Sequence, residues 1–312
     1  MKVRTRLVLV ACALTVTASL SLAGCQSSPG GAAGSAGSAG SADATTATDA
    51  GGDSETDFAA LERTHDARLG VTAIDVGSGR TVSYRSGERF PFASTNKTFI
   101  AAATLQRATS AELATVIHFT RADLLDYAPI TSRFVDTGMT VRELIDAMLR
   151  FSDNTAANLL VGRLGGPQAV EQWMRGIGDS ITNVDRVEPD LNEALPGDPR
   201  DTTTPAQFAA NLRKTLFGDA LPTTARTFLR NTMLDNTTGD GTIRAGVDSA
   251  WPVADKTGTG SFGVRNDIGA VYPASHAPIV VVVMSAKSAS SATPDDALLA
   301  AAAKVAADQL TR

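Results

Sequence analysis

The chain has 312 residues, 43% hydrophobic and 20% charged, enough for one large domain or two. Its formal net charge is −5, with mixed signs and no basic block, which argues against a nucleic-acid binder. The only two cysteines, Cys12 and Cys25, lie within the first 25 residues. The rest of the chain therefore has no disulfide and depends on its core.

Residues 1–25 read as a targeting segment. Lys2, Arg4 and Arg6 precede an apolar run over residues 7–23 that is short for a stable membrane span. The segment ends in Leu22-Ala23-Gly24-Cys25, which resembles the bacterial lipobox. That resemblance implies cleavage before Cys25, lipidation of its thiol, and an exported chain anchored to the outer face of the cell membrane or released from it. Residues 26–56 are Gly, Ser, Ala, Thr and Asp with a Gly-Ser-Ala repeat. They read as a flexible tether with a reach on the order of 30 Å.

Globular sequence begins near Phe58, with a helix predicted over residues 58–68. Residues 71–76 and 81–84 form a strand pair around Gly77-Ser78-Gly79. Pro91 precedes a helix whose first turn carries Ser94 and Lys97, three apart on one face. That helix is mostly apolar or small, and a buried lysine on it needs partners or must lose its proton. Thr140 and Glu143 form a capping box that opens a helix over 141–150. Helices are predicted over 154–164, stopping at Gly165-Gly166, and from Pro167 through Trp173. Two more cover 207–214 and 225–231. Strands return at 253–257, 268–272 and 279–284, and Thr293-Pro294-Asp295-Asp296 opens a last, Ala-rich helix. Strands at both ends with helices between them indicate an α/β (α+β) fold: an antiparallel sheet flanked by helices, plus an all-helical lobe. The cleft between the lobes is the expected site.

Three further stretches carry polar side chains that chemistry can use. Ser152-Asp153-Asn154 lies at a helix junction, where such residues ordinarily act as caps. Residues 186–201 form a compact proline-containing loop whose ends Arg186 and Asp201 can tie together. Within it Glu188, four residues before Asn192, can hold a water as general base. Lys256-Thr257-Gly258 follows a strand and offers cationic and hydroxyl contacts to a carboxylate. The run Gly258-Thr259-Gly260-Ser261-Phe262-Gly263 matches the dinucleotide fingerprint formally. It lies between two strands with no βαβ unit, so that reading is rejected. His65, His118 and His276 accompany no Gly-x-Ser-x-Gly elbow, and no His/Cys cluster suggests a metal or another cofactor.

In this order, Ser94-x-x-Lys97, Ser152-Asp153-Asn154, Glu188-x-x-x-Asn192 and Lys256-Thr257-Gly258 resemble the class A serine β-lactamases. The resemblance covers about residues 58–312. It implies a catalytic domain over 57–312, with an α/β lobe from about 57–88 and 235–312 and a helical lobe over about 89–234. Ser94 would be the acylated nucleophile and Lys97 its proton partner, with either Lys97 or Glu188 as acylation base. Glu188 and Asn192 would activate the deacylating water, and Ser152 would protonate the departing lactam nitrogen. The N–H groups of Ser94 and Thr259 would form the oxyanion hole. Lys256, Thr257, Gly258, Thr259 and Arg265 would receive the substrate, with Asn154 on its side-chain amide and Tyr127 walling the cleft. Arg186 and Asp201 would clamp the loop. Ala93 and Gly260 exclude the cysteine pair of the carbapenem-hydrolysing branch, whereas the Thr259 hydroxyl fits cephalosporin turnover. The expected partner is a small β-lactam acting on a monomer, with membrane contact only through Cys25. The alternative is a D,D-peptidase or penicillin-binding protein, or a β-lactam sensor. The former shares the other motifs but lacks the Glu188–Asn192 pair.

Overall fold

The computed structural model describes residues 51–312. The signal segment, Cys25 and the tether up to residue 50 lie outside the described residues. Helix α1 (Gly51–His65) starts inside the stretch assigned to the tether, so residues 51–56 are helical. Phe58, fully buried, anchors this helix on the core, which outweighs the poor hydrophobicity of the first turns. The helix stops at His65, short of residue 68, because Asp66 takes a left-handed φ of 45°.

Strands β1 (Arg68–Asp75) and β2 (Thr81–Tyr84) pair antiparallel across the glycine turn. A short strand β3 (Phe90–Pro91) leads into a 3-10 turn, Ala93–Asn96, that continues as α2 (Lys97–Arg107). The middle of the chain holds α3 (Ser110–Leu113), a small ladder of β4 (Val116–Ile117) with β5 (Met139–Thr140), and α4 (Val141–Arg150). The Thr140–Glu143 capping box forms as the sequence indicates. Then come α5 (Asn154–Leu164), α6 (Pro167–Gly176), β6 (Thr202–Thr203) paired with β3, α7 (Pro205–Leu216) and α8 (Thr223–Leu234). After a single turn, α9 (Ile243–Gly246), the chain runs through β7 (Val253–Thr259), β8 (Arg265–Val271) and β9 (Ile279–Ala286) and ends in α10 (Asp296–Thr311).

The five-stranded sheet has the order β2-β1-β9-β8-β7 and is antiparallel throughout. Period-2 alternation puts successive side chains on opposite faces. Both faces are covered, so β9 is an unbroken apolar run from Ile279 to Met284. Val280, Val282 and Met284 enter the larger core with Phe99, Leu144, Met148 and Phe208 of the helical part. Ile279, Val281 and Val283 enter a second core with Phe58 of α1 and Leu298, Leu299 and Leu310 of α10. Helix α7, inside the span assigned to the helical lobe, packs against β1 and β9 and joins the two parts through one core. Strand β7 is an edge of the sheet, and its free side faces the 3-10 turn that carries Ser94.

Candidate active site

The turn bearing Ser94 is held from both sides. Ala93 sits at φ 46°, a left-handed conformation that persists only where its surroundings enforce it. Asn266 of β8 donates its Nδ2 to Pro91 O at 2.8 Å and Phe92 O at 3.2 Å, and Thr95 Oγ1 donates to Phe92 O at 2.6 Å. On the β7 side a Cβ at Gly258 would lie 3.0–3.1 Å from Phe92 O, Thr95 N and Ser94 N. A glycine there lets the edge strand lie directly against the turn.

Lys97, one helical turn on from Ser94, is 1% exposed. Its Nζ reaches Glu188 Oε1 at 2.9 Å, Ser152 O at 2.8 Å, Ser152 Oγ at 3.3 Å and Asn154 Oδ1 at 2.5 Å. Burial pushes its ammonium below the usual lysine range, against the opposing pull of Glu188. Glu188 Oε1 also accepts the Ser94 hydroxyl at 3.1 Å, and Oε2 accepts Asn192 Nδ2 at 2.5 Å. One carboxylate thus joins the hydroxyl, the buried ammonium and an amide. On the other side Lys256, fully buried, donates to Ser152 Oγ at 3.0 Å and to Thr257 O at 2.8 Å. Burial, and then the neighbouring Lys97 charge, push Lys256 well below the lysine range. Ser152 therefore receives both ammonium groups, and its own hydrogen is left for another acceptor.

Ser152 adopts a φ of 58° because Asp153 fixes the junction. The Asp153 carboxylate, fully buried, caps α5 through Ala156 N at 2.9 Å and accepts Ile130 N, Thr131 N and the Thr131 hydroxyl. The ordinary capping role of such a triplet is real for Asp153, while Ser152 and Asn154 on either side turn to the lysines. Tyr127 joins this group through its carbonyl, which accepts Asn154 N at 3.0 Å, and its ring is 52% exposed.

The loop from Arg186 to Asp201 is clamped at its ends. Asp201 Oδ2 takes Arg186 Nε at 2.6 Å, and Oδ1 takes the Asp185 and Arg186 N–H groups at 2.9 and 3.0 Å. The Asp201 carbonyl accepts Phe92 N at 3.1 Å, which ties the clamp to the Ser94 turn. Asn158 of α5 grips Glu188 by both backbone groups, at 3.0 Å to its N–H and 2.8 Å to its carbonyl. Ser261 N donates to Asn192 O at 2.9 Å and brings the β7–β8 turn against the loop.

Thr257 is buried, and its Oγ1 lies 2.6 Å from Thr238 Oγ1. Arg265 is 9% exposed. It donates to Thr259 Oγ1 at 3.1 Å and to Thr238 O at 3.3 Å, and its Nε pairs with Asp296 at 2.5 Å. Asn158, Asn266, Thr238 and Asp296 were not singled out from sequence. Asn158 carries a usable signal, since it stands four residues after Asn154 on the same helical face. The other three meet the site only through tertiary contacts. His65 and His276 lie beside Asp295 and Asp75, and neither contacts the Ser94 cluster. Among the described residues no group of three or more His, Cys, Asp or Glu is placed to hold a metal.

Residues 53–310 match the model of the β-lactamase enzyme family. The chain is 46% identical over 253 residues to a β-lactamase of Bacillus amyloliquefaciens, covering 81% of this chain and 83% of that protein. It is 49% identical over 227 residues to a β-lactamase of Amycolatopsis lactamdurans, covering 73% and 75%. The crystal structure of a β-lactamase from Desulfarculus baarsii DSM 2075 superposes with a TM-score of 0.81 at 43% identity, covering 83% of this chain and 97% of that one. With its buried Ser94 turn, paired lysines and clamped Glu188 loop, the chain belongs to the β-lactamase enzyme family, as a class A serine enzyme.

Proposed function

We propose that the Ser94 cluster carries the family reaction, hydrolysis of the β-lactam ring through a serine acyl-enzyme, which confers β-lactam resistance. The observation that carries these roles is the sharing of Glu188: Oε1 faces Ser94 and Lys97, and Oε2 faces Asn192. Lys97 or Glu188 takes the Ser94 proton as Oγ attacks the lactam carbonyl, a step in which a placed base contributes about 10²–10⁴-fold. The N–H groups of Ser94 and Thr259 receive the oxyanion, each worth roughly 10²–10³ in rate. Ser152, whose oxygen is held by both lysines, gives its hydrogen to the departing nitrogen and recovers through Lys97 the proton that Ser94 gave up, which leaves Glu188 as the carboxylate. Glu188 and Asn192 then hold the water that attacks the ester, and Ser94 is released. Lys256, Thr257 and Arg265 receive the substrate carboxylate beside Gly258. Asn154 holds the side-chain amide, and the exposed Tyr127 ring walls the cleft. Penicillins fit this arrangement, and the Thr259 hydroxyl supports cephalosporin turnover.

The chain is proposed to act as a monomer, exported and anchored through a lipidated Cys25, with the lipobox-like sequence in support. Among the described residues no helix is long and apolar enough to cross a membrane.

Intact mass followed over time with benzylpenicillin tests the roles. The wild-type adduct should be transient while hydrolysed drug accumulates. Glu188→Ala removes the carboxylate that opposes the downward shift of Lys97, which favours the lysine as base, so this variant should acylate and then persist as the adduct. Turnover by Glu188→Ala at the wild-type rate would refute the deacylation role.

A further inference from the structure

Behind Lys256 and Thr257 runs a polar chain that no step above uses. Arg244 Nη2 donates to Asp255 Oδ1 at 2.6 Å, and Asp255 Oδ2 accepts Asn236 Nδ2 at 3.1 Å. Asn236 Oδ1 accepts the Thr238 N–H at 3.1 Å and the Thr238 hydroxyl at 2.9 Å. The Thr238 oxygen then meets Thr257 Oγ1 at 2.6 Å.

The direction of every bond in this chain is set by its ends. The Asp255 oxygen that Asn236 faces is an acceptor, so Asn236 presents its NH₂ there. A backbone N–H only donates, so the amide oxygen of Asn236 faces Thr238. The two anchors agree on one amide orientation. Thr238 has a single hydroxyl hydrogen, and Asn236 takes it. The 2.6 Å contact must then be made by the hydrogen of Thr257. A hydroxyl that points its only hydrogen backwards cannot also donate it to a substrate carboxylate.

We infer that Thr238 is a positioning residue for carboxylate recognition, and that substrate binding reverses the Thr238–Thr257 hydrogen bond. Thr238 turns its hydrogen from Asn236 to Thr257, and Thr257 turns its own to the carboxylate. No proton changes owner. One bond, Thr238 to Asn236, is exchanged for one bond to a charged acceptor, and Asn236 Oδ1 keeps the Thr238 N–H. No heavy atom has to move, which suits a chain packed so closely that a Cβ on Gly239 would fall 1.7 Å from Asp255 Oδ2. Thr257 is only 3% exposed, so without the Thr238 hydroxyl its oxygen would have no donor behind it while it binds substrate. The inference rests on the reading that Thr257 binds the carboxylate.

Steady-state kinetics with benzylpenicillin on T238V, T238S, T257V and the double variant T238V/T257V test it. T257V should raise KM, which checks the underlying reading independently. T238V should raise KM about threefold to tenfold, as expected for one lost hydrogen bond, with kcat within about twofold. T238S keeps the hydroxyl and should match wild type. Adding T238V to T257V should change KM by less than about twofold, because the two act through one bond. A T238V effect that persists in the T257V background, or T238V kinetics equal to wild type while T257V is impaired, overturns the inference. An unchanged KM in T257V instead overturns the carboxylate assignment on which it rests. If T238V does not fold, T238A carries the same comparison.

Discussion

Asp201→Ala should separate loop anchoring from chemistry. The carboxylate is fully buried and holds the Arg186 side chain and two backbone N–H groups. Breaking a buried ion pair costs about 3–5 kcal/mol when one charge is left alone. Arg186 keeps Glu193 at 2.6 Å, and its side chain is 16% exposed, so the pair contributes at the low end of that range. Each partly buried N–H without an acceptor adds about 1 kcal/mol. The total is about 5 kcal/mol, which at roughly 2–4 °C per kcal/mol lowers Tm by about 10–20 °C in a domain of this size. A domain near the middle of the usual range of about 5–15 kcal/mol keeps a net stability after that loss, so the variant folds below its lowered Tm. The bond from Asp201 O to Phe92 N belongs to the backbone and survives, leaving the Ser94 turn in place. Glu188 and Asn192 keep their contacts to Asn158 and Ser261 but lose the clamp at the loop ends, and a displacement of about 1 Å can cost 10²-fold. Thermal unfolding followed by circular dichroism, with stopped-flow acylation and deacylation of a chromogenic β-lactam, would show a lower Tm and a deacylation rate reduced far more than acylation. A Tm within about 2 °C of wild type, or equal losses in both steps, would refute the reasoning.

Asp296→Asn keeps an acceptor for Arg265 but removes the opposing charge at 2.5 Å. With Asp296 half exposed the pair is worth about 0–1 kcal/mol, so KM for benzylpenicillin should fall by up to about fivefold, and a rise would contradict the carboxylate role of Arg265. Asp267→Asn tests the second buried acid behind the site. Burial, and then the charge of Asp255, hold Asp267 well above the usual carboxylate range, and its Oδ1 has no partner. The folded protein therefore binds more protons there than the unfolded chain. The contribution is full below the ordinary carboxylate value and is lost as pH rises through the raised folded one. Asn keeps an acceptor for Thr242 Oγ1 and Ile243 N. Urea unfolding at pH 5 and pH 8 should show Asp267→Asn gaining on wild type as pH rises, and a gap that shrinks with pH would reverse the sign of this account.

The elements that announce themselves by local rules were legible in the sequence. Thr140 with Glu143, the Gly165-Gly166 stop before Pro167, and the valine run of β9 each state a boundary or a period without help from the rest of the fold. The side chains of the Ser94 cluster were legible for a different reason. Their types and order carry the family resemblance, whereas each motif alone has an ordinary structural use. Helix α1 was placed too late because Phe58 was read as the start of structure, while its burial organises the turn before it as well. Asn266, Asp296 and Thr238 stayed invisible because their roles exist only after β7, β8 and α10 are packed together. Arg265 was read as a cation for the substrate, and its pairing with Asp296 needs a helix some thirty positions further on.

The pairing of β1 with β9 sets Arg68 beside Ala286 and Asp75 beside Ile279, so the centre of the sheet joins the first structured strand to the last. Such a closure requires a long loop to be drawn in before its contacts repay the entropy. A growing chain holding everything up to β8 still has its second core open, because Val281, Val283 and Leu299 have yet to be made. Lys256 would have its edge strand but no finished sheet to hold that strand against Ser94. For the exported route proposed above, the order of the strands thus delays the native state until β9 and α10 are present. On that route a chain still being threaded across a membrane stays extended, and Ser94 meets Lys256 in the finished cleft only once β9 and α10 have followed.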